Sequence, residues 1–176
     1  MSRRPDRKRR RGPALLLAGA VAAVVAMPQA ARADCTDPPI PGVNYQDCAF
    51  DGLDMTNVRL VGARLRGATF IRADLSGSDL SEVEAYRTKF VSATLRNATL
   101  DGAKLFQADM TKADLRGASL VGADLRSASL YRADLREADL TDARLRDTDL
   151  TDAKLSGATW TDGSYVCREG SVGRCN

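Results

Sequence analysis

The 176-residue sequence contains no histidine. That removes the commonest general base, the Ser-His-Asp and Cys-His arrangements, and the usual nitrogen ligand for zinc. Aromatic residues are only 5% of the chain, too few to dominate a core. The four cysteines, Cys35, Cys48, Cys167 and Cys175, include no C-x-x-C pair, which argues against a zinc knuckle. Gly-rich phosphate loops and nucleophile motifs are also missing. With neither a nucleophile–base pair nor a cofactor motif, the chain reads as a non-enzyme, and no cofactor or metal is expected. The one long apolar run, Ala14 to Met27, is short for a membrane span.

That run belongs to an expected signal peptide over residues 1–33. Arg3, Arg4, Arg7, Lys8, Arg9, Arg10 and Arg11 precede it, and Pro28 and the small-residue site Ala31-Arg32-Ala33 follow. This is the three-part layout of an export signal, with cleavage expected after Ala33. The paired arginines raise a twin-arginine route, although no Phe-Leu-Lys follows them. A lipoprotein anchor does not fit, because Arg32-Ala33-Asp34 precedes Cys35. Cleavage removes eight of 26 Lys+Arg and one of 23 Asp+Glu, leaving 18 basic and 22 acidic residues and a net charge of −4. The mature chain is therefore expected to be secreted or held in the cell envelope, outside any membrane. Its net charge offers no basic stripe for nucleic acid.

From residue 48 to 160 the chain repeats every five residues without a change of phase. A large apolar centre recurs at 23 positions from Phe50 to Trp160. Most are Leu; the others are Phe50, Met55, Phe70, Ala85, Phe90, Met110 and Trp160. Two residues earlier sits a small residue, usually Ala. An α-helix places apolar residues every 3.6 and a strand every 2. Here the two apolar positions lie two apart, as on one face of a short strand. The next pair comes three residues later, so the chain must turn a corner between pairs. Short strand and corner in alternation make a β-solenoid, each side pointing one small and one large side chain inward.

The pattern is plainest in Ala123-Asp124-Leu125-Arg126-Ser127, Ala128-Ser129-Leu130-Tyr131-Arg132 and Ala133-Asp134-Leu135-Arg136-Glu137. It resembles the pentapeptide repeat family, whose signature is A(D/N)LXX, over about two thirds of the chain. The resemblance implies an all-β fold, a right-handed quadrilateral β-helix with four pentapeptides per coil. Period five alone would also permit three or five sides. On the family's geometry residues 48–162 form about six coils, between an N-terminal cap, 34–47, and a C-terminal cap, 163–176. The ends need covers because a bare coil presents unpaired backbone groups.

All four cysteines fall at or beside these caps, and an even count in an exported chain argues disulfides. About six coils at roughly 4.8 Å separate the ends by about 25 Å, beyond the roughly 7 Å a disulfide tolerates between Cα atoms. On that family geometry the expected pairs are Cys35–Cys48 and Cys167–Cys175. Inside the tube, Ala85 is a small centre with a large partner, Val83, so the volume balances and a continuous coil is expected; a bulge near 82–89 is the alternative. Ser78, Thr88 and Thr148 fall at inward positions and must bond backbone. Asp residues before the centres are assigned to turns rather than to calcium, since the family signature has Asp or Asn there in any case.

With 20 residues per coil, residues 20 apart stack in outer columns. One column runs Arg66, Tyr86, Phe106, Arg126, Arg146. The next carries Ile71, Val91, Thr111 and Tyr131, flanked by Arg72, Ser92, Lys112 and Arg132; a third holds Arg96, Arg116 and Arg136. Tyr86, Phe106, Tyr131, Ile71, Val91, Arg126 and Arg132 form the candidate partner-binding surface, because aromatic residues beside arginines make binding hot spots. The plainer reading is that exposed aromatics stack on a sheet and stabilise it.

The resemblance also brings a function, since the best-known members of the family bind DNA gyrase. This chain departs from them in its export signal, in coils holding 18 acidic and 16 basic residues, and in a short cap for a tail. A DNA-mimicking gyrase binder is accordingly ranked last. The leading expectation is an exported, non-catalytic scaffold or protein-binding module with an unknown protein or cell-envelope component as partner. The second is an inhibitor or effector of an extracellular protein. Oligomeric state is left open.

Overall fold

The structure, a computed structural model, describes residues 34–176; the expected signal peptide, 1–33, lies outside the described residues. Twenty parallel bridges each join residues 20 apart, from Asn44↔Arg64 to Asp139↔Thr159. Four repeats per coil make the tube four-sided, the choice that period five left open. Face 1 carries bridge residues 44, 64, 84, 104, 124 and 144; face 2 begins at 49, face 3 at 54 and face 4 at 59.

Every corner but the one before Val58, where the Ser78 hydroxyl intervenes, is built the same way. The small residue's N–H donates to the carbonyl of the centre three residues back, as in Ala63 to Leu60 (2.9 Å) and Ala158 to Leu155 (3.0 Å). Between them, the residue two after each centre has φ between +53° and +75° at every corner from Gly42 to Gly157. That is a turn of the type II kind. Nine of these corner residues are Gly, but 15 are not, including Arg72, Lys112 and Arg132. An L-residue there costs about 1–2 kcal/mol. At all of them but Asp147 and Asp152, in the last coil, the residue's own N–H is locked to the next coil, as in Arg72 to Val91 (3.0 Å) and Lys112 to Tyr131 (2.8 Å).

The core is one continuous column of centres and small residues, with Leu60 through Leu140 almost wholly buried. On face 2 the centres Phe50, Phe70 and Phe90 stack at 5.1 and 5.2 Å before Met110 takes over. Val83 and Ala85 are both fully buried, and bridges Arg64↔Glu84↔Lys104 run through without a bulge. The inward hydroxyls find backbone: Ser78 Oγ donates to Met55 O (2.8 Å), Thr88 Oγ1 to Leu65 O (2.7 Å) and Thr148 Oγ1 to Leu125 O (2.8 Å).

The ladder starts earlier than Cys48, where the sequence reading placed it. Val43 and Tyr45 already occupy the small and large positions, and Asn44 bridges Arg64. Tyr45 escaped notice because its hydroxyl needs a partner inside a Pro-rich stretch; it donates to the Asp37 carbonyl. Cys35 and Cys48 lie with Cα atoms 5.5 Å apart, and Cys167 and Cys175 4.9 Å apart, both pairs at S–S bonding distance. At the other end the chain reverses and lies antiparallel on the last coil, pairing Lys154 with Val172 and Thr159 with Val166.

Candidate interaction surface

Outer chemistry follows from two positions in each repeat: the residue before the centre and the residue after it. Where Asp precedes the centre, its Oδ1 accepts the N–H two residues on, closing the corner: Asp74 from Ser76 (2.9 Å), Asp109 from Thr111 (3.0 Å), Asp139 from Thr141 (2.9 Å) and Asp149 from Thr151 (2.9 Å). Hydrogen bonds from the Ser76 and Thr151 hydroxyls and amides hold the Asp74 and Asp149 carboxyls below the usual range. This is a concrete structural use for the signature Asp.

Where Arg follows the centre, the same Asp also clamps the guanidinium. Arg126 donates from Nε to Asp124 Oδ1 (2.7 Å) and from Nη2 to Oδ2 (2.6 Å). Arg116 grips Asp114 and Arg136 grips Asp134 in the same forked way. The Arg126 hydrogen bond lowers the Asp124 pKa. At Asp134 burial pushes the pKa up, but the Arg136 hydrogen bonds outweigh it and the net direction is down. Asp114 and Asp134 are stacked like charges; Arg96 Nε, 2.6 Å from Asp114, and Arg116 Nε, 3.9 Å from Asp134, relieve them.

The aromatic surface stands on this scaffold. Tyr86 and Phe106 are half-buried at successive levels of one column. Arg66 Cζ lies 5.8 Å from the Tyr86 ring centroid and Arg126 Cζ 5.9 Å from the Phe106 centroid. Arg66, Tyr86, Arg87, Phe106 and Gln107 line a shallow cleft of about 270 Å³. Arg87 Nε donates to Gln107 Oε1 at 2.9 Å, tying the cleft's rim together. Ile71, Val91 and Tyr131 stand half-buried along the neighbouring corner. There Arg132 Cζ sits 4.8 Å from the Tyr131 centroid and its Nε donates to Asp152 (3.2 Å). The structure thus places the seven candidate residues on two adjoining corners flanking face 2. Within each corner the arginine covers the ring, while Tyr131 belongs to the second corner and does not join the cleft.

Sequence reasoning left Arg66, Arg87, Gln107 and Asp124 out of the candidate surface. The signal for two further partners was present: the bridge column of face 1 reads Arg64, Glu84, Lys104, Asp124, Arg144, alternating in sign every 20 residues. Lys104 Nζ reaches Glu84 Oε1 at 2.9 Å, a hydrogen bond that lowers the Glu84 pKa and raises that of Lys104. A second cleft of about 260 Å³ lies along Arg96, Asn97, Arg116, Gly117, Arg136 and Glu137. Asn97 Oδ1 reaches within 2.5 Å of where a Cβ on Gly117 would sit, so that corner accepts only Gly without a shift. Among the described residues no cluster of His, Cys, Asp or Glu is arranged to hold a metal ion.

A stacked-coil tube with side-chain columns on its walls defines a class of repeat scaffold, and the sequence comparisons agree. The pentapeptide repeats profile matches in eight copies over residues 46–82, 86–122 and 118–157. The chain belongs to the pentapeptide repeat family. It is 36% identical over 78 residues to the pentapeptide repeat protein MfpA of Mycobacterium tuberculosis, covering 44% of this chain and 43% of that one. A trypsin-treated form of QnrB1, a plasmid-mediated fluoroquinolone resistance protein, superposes with a TM-score of 0.53 at 19% identity, over 70% of this chain and 69% of that one. HetL, involved in heterocyst differentiation regulation in Nostoc sp. strain PCC 7120, shares 34% identity at a TM-score of 0.45, covering 70% of this chain and 64% of HetL. This chain therefore spans less than half of MfpA's length. The likeness to QnrB1 is one of fold: the right-handed β-helix of the family.

Proposed function

We propose that this chain is an exported, non-catalytic scaffold that binds a protein or cell-envelope component through the walls of its tube, chiefly the two corners flanking face 2. The observation that carries the reading is the arrangement of Tyr86 and Phe106, half-exposed rings whose flanks are covered by Arg66 and Arg126. Arg126 is itself fixed by the forked Asp124 contact. A binding surface gains from rings and guanidiniums that are already ordered, because less side-chain entropy is lost on association. Export is supported by the signal-like residues 1–33 and by two cysteine pairs suited to an oxidising compartment. The even balance of charge along the coils favours this reading over imitation of a phosphate backbone.

Processed protein carrying Tyr86→Ala, Phe106→Ala and Tyr131→Ala together tests it, against the parent, in pull-downs from culture medium and cell wall. Loss of a retained companion supports the reading; unchanged retention of every companion makes the rings surface packing and nothing more. A single foreign enzyme as that companion favours the inhibitor alternative, and wall polymer favours the scaffold.

A further inference from the structure

The walls of this tube are finished and its ends are not. Among the described residues, all five exposed large apolar side chains lie at the two ends: Ile40 (53%) and Leu53 (50%) at one, Tyr165 (41%), Val166 (54%) and Val172 (51%) at the other. Neither cap covers a whole coil. The N-terminal cap lies over Tyr45, Cys48 and Phe50, on faces 1 and 2, and leaves Leu53 and Val58 exposed or half-buried across the coil. The C-terminal tail does the reverse. It covers Ala153, Leu155 and Ala158, on faces 3 and 4, and leaves Leu145, Thr148 and Leu150 half-buried on faces 1 and 2. Because the coil repeats every 20 residues, Tyr45 and Leu145 share a column, as do Leu53 and Ala153; at the first end Leu53 is exposed while its centre Met55 is buried. The faces covered at the C-terminal end are those whose small-residue positions, Leu53 and Val58, are left open at the N-terminal end.

Backbone pairing shows the same division. One coil earlier, the N–H groups of Leu125, Ser127 and Leu130 donate to Arg144, Arg146 and Asp149 at 3.0, 3.0 and 2.8 Å. Their counterparts Leu145, Asp147 and Leu150 donate to nothing among the described residues. The N–H and C=O of Val166 and Val172, on the tail's outer edge, have no backbone partner either, nor do the N–H groups of Asp54 and Arg59 at the opposite end. Open edges of this kind are templates for another chain.

We infer that a second copy of this chain stacks end to end on the first, the N-terminal end of one against the C-terminal end of the next. The cap of the incoming copy fills faces 1 and 2, and the tail of the first fills faces 3 and 4. Together they form one composite layer between two coils about 10 Å apart, twice the strand spacing. Charge selects this orientation over two N-terminal ends. Residues 34–58 carry Asp34, Asp37, Asp47, Asp51 and Asp54 and no Lys or Arg. The opposite end, 144–176, balances Arg144, Arg146, Lys154, Arg168 and Arg174 against Asp147, Asp149, Asp152, Asp162 and Glu169, so it does not repel the acidic end as a second acidic end would. Such a contact is heterologous and does not close, so it builds short filaments rather than a dimer. One coil's end is smaller than the roughly 800 Å² per partner of a stable interface, so assembly depends on concentration. The inference stands whatever partner the walls take.

Residues 34–176 contain a core of their own and both cysteine pairs, so the processed, oxidised chain is the material to test. Sedimentation velocity over a concentration series compares the parent with a head variant, Leu53→Lys, and a tail variant, Val166→Asp with Val172→Asp. Ile40→Lys is a second head variant should the first fail to fold, and circular dichroism checks all of them. The expected parent mass climbs with concentration past the dimer. Each variant alone associates at least about tenfold more weakly, and an equimolar mixture of head and tail variants recovers a dimer and stops there. A parent that stays monomeric up to millimolar concentration overturns the inference. So does a head variant that dimerises as well as the parent, which would mean tail-to-tail pairing, or a mixture that stays monomeric.

Discussion

Leu125 and Arg126 are chain neighbours in stacked columns that run the length of the same corner, yet the two columns obey different rules. The inner one (Leu65, Ala85, Leu105, Leu125) is fully buried. There each residue's volume is answered by its partner two positions back, as Val83 answers Ala85. The outer one (Arg66, Tyr86, Phe106, Arg126) is half in water and varies freely in size and charge. Its neighbours adapt to it: an arginine covers a ring, an aspartate clamps an arginine. One repeat thus separates stability from recognition by a single residue step. The solenoid's interior fixes where every outer column stands, and the outer columns can change without disturbing it.

The largest break in that separation is Leu125→Lys. A charge with no partner enters a dry core, and the expected loss is about 4 kcal/mol or more, read as collapse of the cooperative urea transition. Arg126→Ala, one residue on, should leave the transition midpoint almost unmoved. If the two substitutions cost the same, the inside–outside distinction is wrong.

Next come the inward hydroxyls, which sharpen the comparison within the core. Ser78 Oγ stands inside a corner, accepting from Val58 N (3.1 Å) and donating to Met55 O (2.8 Å). Ser78→Ala strands both groups and should cost about 1–3 kcal/mol. Thr148 differs, because Leu125 O keeps a second donor, Ala128 N at 3.0 Å. Thr148→Val should therefore cost only about 1 kcal/mol. Chemical denaturation of the two variants side by side gives the order.

The smallest effect lies on the outer columns and comes through pH. The folded pKa values of Asp74, Asp124, Asp134 and Asp149 lie below the ordinary carboxylate value. Their contribution is present above that ordinary value, near pH 4, and is lost as pH falls through the lowered folded values. Asp149 is exposed and the other three stand half-buried at the surface beside water, so the loss is modest. The thermal midpoint should be flat from neutral pH to about 5 and drift down below about 4. Asp124→Asn should remove part of that drift, and Leu125→Ala none of it.

Much of this was readable in advance because the five-residue period is a core property, and core positions have one physical requirement each. The alternation of Ala and Leu places the strands and corners, and the inward Ser78, Thr88 and Thr148 have to find carbonyls. End separation makes the cysteine pairs local. What escaped had more than one solution. Arg72, Lys112 and Arg132 give no sign of left-handed backbone, because the ladder on the adjacent coil imposes it against their own preference. Tyr45 belongs to the core although its hydroxyl and its Pro-rich surroundings argue otherwise. Asp124 reads first as a signature residue of the turn; its second use, the clamp on Arg126, is written only in the recurring Asp-Leu-Arg of 114–116, 124–126 and 134–136, a pattern that has meaning once the two side chains are known to leave the same corner. The division of labour between the two half-caps emerges only when columns 100 residues apart, Tyr45 and Leu145, are seen to coincide.

Every column in this account depends on the coil being 20 residues long. Spin labels on cysteine pairs replacing Ser81 with Asp101, Ser81 with Arg96, and Ser81 with Phe106 probe spacings of 20, 15 and 25 residues in the oxidised protein. Four-sided coils place the first pair on adjacent levels of one corner, about 4.8 Å apart along the tube. Strong dipolar broadening is expected for that pair alone. Broadening in the 15- or 25-residue pair, and none in the 20-residue pair, would contradict it.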